Sequence, residues 1–129
     1  MLQSEYRLPR GQPEKGKKMN ITQAITANRI FDEMPAGGSM DEGQLLNQIG
    51  AMNVLAISGG RRITKDSTTL FPVSHGYFVT VTINNWDLYD VKLFKANKNK
   101  AAVVMDWDNI GAEIIHEVAY QASCFNNWV

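Results

Sequence analysis

The spacing of apolar residues predicts helices in the first part of the body of the chain. Between residues 22 and 34, apolar positions recur three or four residues apart, which is typical of an amphipathic helix. The segment PAGG at 35–38 breaks that pattern. A second helix is expected from about 40 to 51, because Ser39 and Glu42 match the S-x-x-E capping box.

The period of the apolar residues changes after this second helix. A short apolar run, VLAI, covers positions 54–57 and ends at Gly59 and Gly60. Continuous apolar runs of this length are typical of buried strands. The sequence therefore predicts a strand at 53–58 that stops at a glycine turn.

Further strands are predicted in the middle of the chain, at 69–73, 77–83, 88–96 and 101–107. The run YFVTVTI at 77–83 has the clearest alternation. The short polar segments at 84–87 and 97–100 are typical of turns, so consecutive strands are expected to be antiparallel neighbours.

A last helix is expected after the strands, capped by Asp108 or Asn109 and carrying an apolar stripe that ends near Phe125. The predicted class is α+β. An antiparallel sheet of four to five strands would have two N-terminal helices and one C-terminal helix packed on one of its faces.

Composition and charge divide the chain into a short arm and one domain. Residues 1–18 are rich in charge, proline and glycine, which predicts a disordered basic arm. Residues 19–129 are predicted to form a single α+β domain. Up to residue 19 there are five basic and two acidic residues, and the remainder has eight basic and eleven acidic residues. A net acidic body makes a nucleic-acid partner a poor expectation.

Two features of the sequence predict a cytoplasmic protein. No apolar run approaches the roughly 18 residues that a membrane helix needs. The single cysteine, Cys124, excludes an internal disulfide and fits a reducing compartment.

Catalytic and metal-binding patterns are incomplete. His116 and Glu117 match the start of the zinc motif H-E-x-x-H, but Tyr120 occupies the place of the second histidine. Cys124 lies eight residues after His116, about 12 Å along a helix, which is too far for a nucleophile and its base. The expectation is a protein that is not an enzyme and has no cofactor or metal. A hydrolase that uses Cys124 or Asp106 ranks last among the functions.

The basic residues after the glycine turn have two interpretations. Arg61 and Arg62, with Lys65 nearby, could hold a phosphate together with the backbone N–H groups of the turn. The favoured interpretation is a tight turn in which glycines supply positive φ and the arginines are exposed. The first interpretation supports an alternative function as a small RNA- or single-strand-binding module that also uses the basic arm.

A carboxylate-rich stretch near the C-terminus is the candidate partner-binding site. It consists of Asp106, Trp107, Asp108, Glu113 and Glu117. Its acids could face a basic nucleic-acid-binding groove of another protein, where charge complementarity speeds association. A tryptophan, Trp86, Trp107 or Trp128, would anchor the complex. Trp128 near the chain end is also compatible with a dimer.

Two segments carry a resemblance to a known group of proteins. LLNQIGAMNVLAISGGRR and TINNWDLYDVKLFK are similar to segments of a family of small uncharacterised proteins encoded by phages and mobile elements. The resemblance covers the region from Leu45 to about Phe125. It implies a gene product that acts inside a bacterial host by binding and blocking a host protein. Anti-defence proteins, anti-CRISPR proteins among them, act in this way. The family has no assigned activity, so no functional residue is carried over.

Overall fold

The computed structural model of the chain describes residues 21–34, 38–97 and 100–127. The elements in these segments follow in the order α1 (Ile21–Asp32), α2 (Glu42–Ile49), α3 (Ala51–Ser58), β1 (Ile63–Lys65), β2 (Thr68–Pro72), β3 (Tyr77–Ile83), β4 (Tyr89–Asn97), β5 (Lys100–Ile110) and α4 (Ile115–Ser123). The predicted arm at 1–18, most of the break at 35–38 and Trp128 lie outside the described residues. So do two of the four residues of the turn predicted at 97–100.

The sheet is an antiparallel meander. Its five strands lie side by side in chain order, β1 to β5, and each pairs with the next in the antiparallel sense. The predicted α+β class and antiparallel sheet are confirmed. Strands β2 to β5 match four of the predicted strands, whereas β1 is an additional edge strand of three residues.

Helices cover both faces of the sheet. Tyr77, Val79 and Val81 of β3 pack in one core with α2, α3 and α4, and we call this side the three-helix face. The alternate residue Phe78 packs in a second core with α1, on the side that we call the α1 face. The sequence placed all helices on one face. An apolar stripe along a helix indicates that the helix packs against other residues. It does not indicate which face of the sheet the helix packs on.

The strand predicted at 53–58 is wrong, because this segment belongs to α3. Gly50, with φ of 94°, separates α3 from α2, and Gly59 ends α3 in the left-handed region with φ of 66°. Val54 and Ile57 are buried one turn apart, while Leu55 between them is 57% exposed. A four-residue apolar run does not distinguish this short helix from a strand.

Two predicted helix starts also differ. Asp41, not Ser39, caps α2, and its carboxylate accepts a 3.0 Å hydrogen bond from the backbone N–H of Gln44. Strand β5 continues to Ile110, so Asp108 and Asn109 lie in a strand and cap no helix. Helix α4 begins only at Ile115.

Candidate protein-interaction surface

The loop between β3 and β4 is held by the side chain of one residue, Asn84. Its side-chain oxygen accepts hydrogen bonds from the backbone N–H groups of Trp86, at 2.8 Å, and Leu88, at 3.1 Å. Its backbone N–H donates to the carbonyl of Leu88 at 2.8 Å, and its carbonyl accepts from Asp87 at 3.1 Å. The backbone on both sides of Trp86 is therefore fixed.

Trp86 is the exposed tryptophan of the described segments. Its side chain is 77% exposed, although the loop that carries it is ordered by these hydrogen bonds. Trp107 is half-buried and packs against the core of the three-helix face. Of the two proposed anchor tryptophans that lie in the described segments, Trp86 is thus the one that offers an open indole ring.

The loop is hydrogen-bonded to the edge strand β5. The side-chain amide of Asn84 donates to Asn109 at 2.9 Å and to the carboxylate of Asp90 at 3.1 Å. The same Asp90 oxygen accepts the backbone N–H of Asn109 at 2.9 Å. Asn109 has φ of 58° and lies in a β-bulge, a conformation that asparagine tolerates better than most residues.

Two exposed carboxylates lie on β5 just before this bulge. Asp106 is opposite Lys92 of β4. Because Trp107 faces the three-helix core, alternation places Asp106 on the α1 face, and Asp108 lies where the register shifts at the bulge. Among the described residues neither acid forms an ion pair. Together with Asp87 of the loop, they place three exposed carboxylates toward the end of the sheet that carries Trp86.

The acids predicted as one group divide between two sides of the sheet. Glu117 lies in the first turn of α4 and Glu113 in the segment just before it, and α4 covers the three-helix face. Asp106 lies on the other face, and Asp108 lies at the bulge of β5. We therefore define the hairpin surface as Trp86, Asp87, Asp106 and Asp108. The role of Asn84, Asp90 and Asn109 in fastening it was missed, since nothing in the sequence pairs residues so far apart.

No family model, curated protein or solved structure matches this chain. The resemblance to proteins of phages and mobile elements therefore stays a prediction.

The two arginines of the predicted anion site bind the turn that follows α3. Arg61 donates from Nε to the carbonyl of Ser58 at 3.0 Å, and Arg62 donates from Nη1 to the carbonyl of Gly60 at 2.9 Å. Arg62 also lies 3.5 Å from the carboxylate of Glu42. Free carbonyls at a helix C-terminus attract cations, so these contacts stabilise the turn.

The expected positive φ of the glycine turn is confirmed, since Gly59 and Gly60 have φ of 66° and 90°. Of the two arginines expected to be exposed, Arg62 is exposed and Arg61 is half-buried. Lys65 is exposed at the end of β1. Binding of an anion by the three basic residues remains a prediction, and it would compete with the internal contacts of both arginines.

Within the described segments, no hydrogen bond joins the histidines to Cys124. His116 is exposed on α4, and the thiol of Cys124 donates to the carbonyl of Tyr120 at 3.5 Å. His75 lies in the turn before β3, with its ring 5.2 Å from that of Phe125. Throughout the described segments, no three histidine, cysteine, aspartate or glutamate side chains are grouped to hold a metal ion.

A buried phenol lies on the three-helix face. Tyr89 is 5% exposed and donates a 2.6 Å hydrogen bond to the side-chain oxygen of Gln48 in α2. Burial raises the pKa of Tyr89 above its ordinary value of 10.0, and the negative charge of Asp41 raises it further. The phenol is therefore neutral at physiological pH and acts as a hydrogen-bond donor between sheet and helix.

Proposed function

We propose that this protein is not an enzyme and binds another protein through the hairpin surface, blocking the nucleic-acid-binding site of that partner. The observation that carries the proposal is the 77% exposed Trp86 on a loop fixed by hydrogen bonds. Tryptophan is enriched among residues that dominate binding energy at interfaces. A rigid loop also lowers the entropy lost when the indole is immobilised in a complex.

The charge of the surface favours a basic partner. Asp87, Asp106 and Asp108 are exposed, and none of them forms an ion pair within the described segments. Carboxylates on a rigid edge strand can occupy the positions that phosphates take in a basic groove, and their field speeds association. Action in a bacterial host as an anti-defence protein of a phage or mobile element, for example an anti-CRISPR protein, is part of the proposal and rests on the sequence resemblance.

A helix that crosses a membrane has to be long and apolar. Within the described residues, no helix combines the length and the apolar character needed to cross a bilayer. Direct nucleic-acid binding has no comparable support, because Arg61 and Arg62 are engaged in contacts of their own turn. Direct nucleic-acid binding is one of the outcomes that the experiment below distinguishes.

The test compares two doubly charge-reversed variants of the full chain. Asp106→Lys with Asp108→Lys alters the hairpin surface, and Glu113→Lys with Glu117→Lys is the matched control beside the other face. Each variant is immobilised and exposed to the heparin-binding proteins of a nuclease-treated bacterial lysate, a fraction enriched in nucleic-acid-binding proteins. A captured partner is then purified and titrated with each variant and with an oligonucleotide competitor.

We expect the control to retain the partner and the hairpin variant to bind it at least about tenfold more weakly, as for close charge pairs at interfaces. Oligonucleotide should displace the protein from its partner. The proposal is wrong if both variants hold the partner equally well, or if partner and oligonucleotide bind together. Direct, salt-sensitive binding of the oligonucleotide by this protein alone would favour the nucleic-acid-binding alternative.

A further inference from the structure

We infer that the hairpin surface recognises an arginine side chain, with the guanidinium group lying on the Trp86 indole and paired with a neighbouring carboxylate. This inference rests on the proposed function and specifies the chemistry of its partner. The ligand would be an arginine-rich segment of a protein, presented to the loop between β3 and β4.

The indole is available to a cation, and the backbone that carries it is held by hydrogen bonds. Trp86 is 77% exposed, and no cation of the described segments lies over its ring. By contrast, Lys95 already lies over the ring of Tyr77, 4.4 Å from its centroid, and donates to the carbonyl of His75. Tryptophan is the aromatic side chain that binds cations best.

Two carboxylate residues are connected to Trp86, one along the chain and one through a side-chain hydrogen bond. Asp87 follows Trp86 in the chain, with φ of 60° in the same fixed loop. Asp108 precedes Asn109, whose side chain accepts the amide hydrogen of Asn84. A cation on the Trp86 ring therefore enters a region whose neighbouring charges are negative.

Arginine fits this combination better than lysine. A guanidinium group is planar, so it can stack on an aromatic ring while its N–H groups donate sideways to a carboxylate. A lysine ammonium is compact and strongly hydrated, and it loses more hydration when it lies against an indole. The surface should consequently distinguish arginine from lysine at equal charge.

The experiment measures binding of two peptide probes, eight arginines and eight lysines, to the full-length protein at near-physiological salt. Trp86→Leu removes the aromatic ring and keeps an apolar side chain. Tyr120→Leu is the matched control, because Tyr120 is an exposed aromatic residue, 44% exposed, on α4. Circular dichroism verifies that every variant is folded.

We expect the wild type to bind the arginine peptide about five- to twentyfold more tightly than the lysine peptide. Trp86→Leu should lower affinity for the arginine peptide to that for lysine, and Tyr120→Leu should leave the preference unchanged. Equal affinity of the wild type for both peptides, no binding of either, or an unchanged preference in Trp86→Leu would each overturn the inference.

Failure of this inference can be separated from failure of the proposed function. If Trp86→Leu keeps the arginine preference while reversal of Asp106 and Asp108 still releases the captured partner, the inference alone is wrong. If that reversal has no effect on the partner, the proposed function is wrong whatever the peptides show.

Discussion

Asn84 donates a 2.9 Å hydrogen bond from its side-chain amide to the side-chain oxygen of Asn109, a residue 25 positions later in the chain. This bond joins the loop between β3 and β4 to the bulge of β5. Because Trp86 lies on one side of the junction and Asp108 on the other, the bond links the backbone segments that carry the indole and the carboxylate.

Asn84→Ala should lower the free energy of unfolding by about 1–2 kcal/mol, because it removes several hydrogen bonds from a partly buried side chain. It should also weaken binding of the arginine peptide although Trp86 is intact, since the loop loses its fixed backbone. Urea unfolding followed by circular dichroism measures the first effect. Asn85→Ala, in the same loop and exposed, is the control. Equal stability of the two variants would contradict the assigned role of Asn84.

Thr80→Val should stabilise the protein by up to about 1 kcal/mol. The Thr80 hydroxyl is buried, with 1% of the residue exposed, and it has no hydrogen-bond partner among the residues that the structure describes. Replacing it by a methyl group of similar shape removes the desolvation cost of an unpaired hydroxyl.

The matched control is Thr82→Val two residues further along β3. The Thr82 hydroxyl is hydrogen-bonded to that of Thr68 at 2.8 Å in a buried site, so this variant should lose about 1–2 kcal/mol. A higher urea midpoint for Thr80→Val and a lower one for Thr82→Val would support an unpaired Thr80 hydroxyl and a hydrogen-bonded Thr82 hydroxyl. A loss of stability in Thr80→Val would show that its hydroxyl has a partner in solution.

Gly59→Ala should destabilise the protein by about 1 kcal/mol, because φ of 66° at the end of α3 disfavours a side chain. The same substitution at Gly43, inside α2, should be neutral or stabilising by up to about 1 kcal/mol, since alanine is the better helix former. An alanine Cβ at Gly43 would meet only an oxygen of Asp41, at 3.7 Å. Thermal unfolding compares the two. Equal stability of Gly59→Ala and the wild type would contradict the left-handed conformation at the end of α3.

Tyr89→Phe should reduce the loss of stability at alkaline pH. The pKa of Tyr89 is higher in the folded protein than in the unfolded chain, where it is near 10. The neutral phenol therefore stabilises the folded protein fully below pH 10, and this contribution is lost as the pH rises through the folded-state pKa. Stability is measured by urea unfolding at pH 8 and 10.5.

At pH 8 the variant should be about 0.5–1.5 kcal/mol less stable, because the hydrogen bond to Gln48 is gone. The difference in the free energy of unfolding between the wild type and Tyr89→Phe should be smaller at pH 10.5. A constant difference between the two pH values would show that the Tyr89 pKa is not raised.

The sequence by itself determined strands β2 to β5 and the fold class. In β3, alternating apolar residues predicted a strand at 77–83, and the structure has Tyr77–Ile83. Alternation is a local property, because successive side chains of any strand point to opposite faces. The polar turns between strands were also local signals, and they implied the antiparallel order that the meander has.

Only the tertiary structure decided the nature of 53–58, the face that α1 covers and the composition of the hairpin surface. Whether Val54 and Ile57 belong to a helix depends on what packs against them, and a short apolar run is compatible with either structure. Likewise, Asn84 and Asn109 meet because a bulge in β5 places them together. Contacts between residues distant in the chain depend on how all the strands and helices pack, and local spacing does not specify that packing.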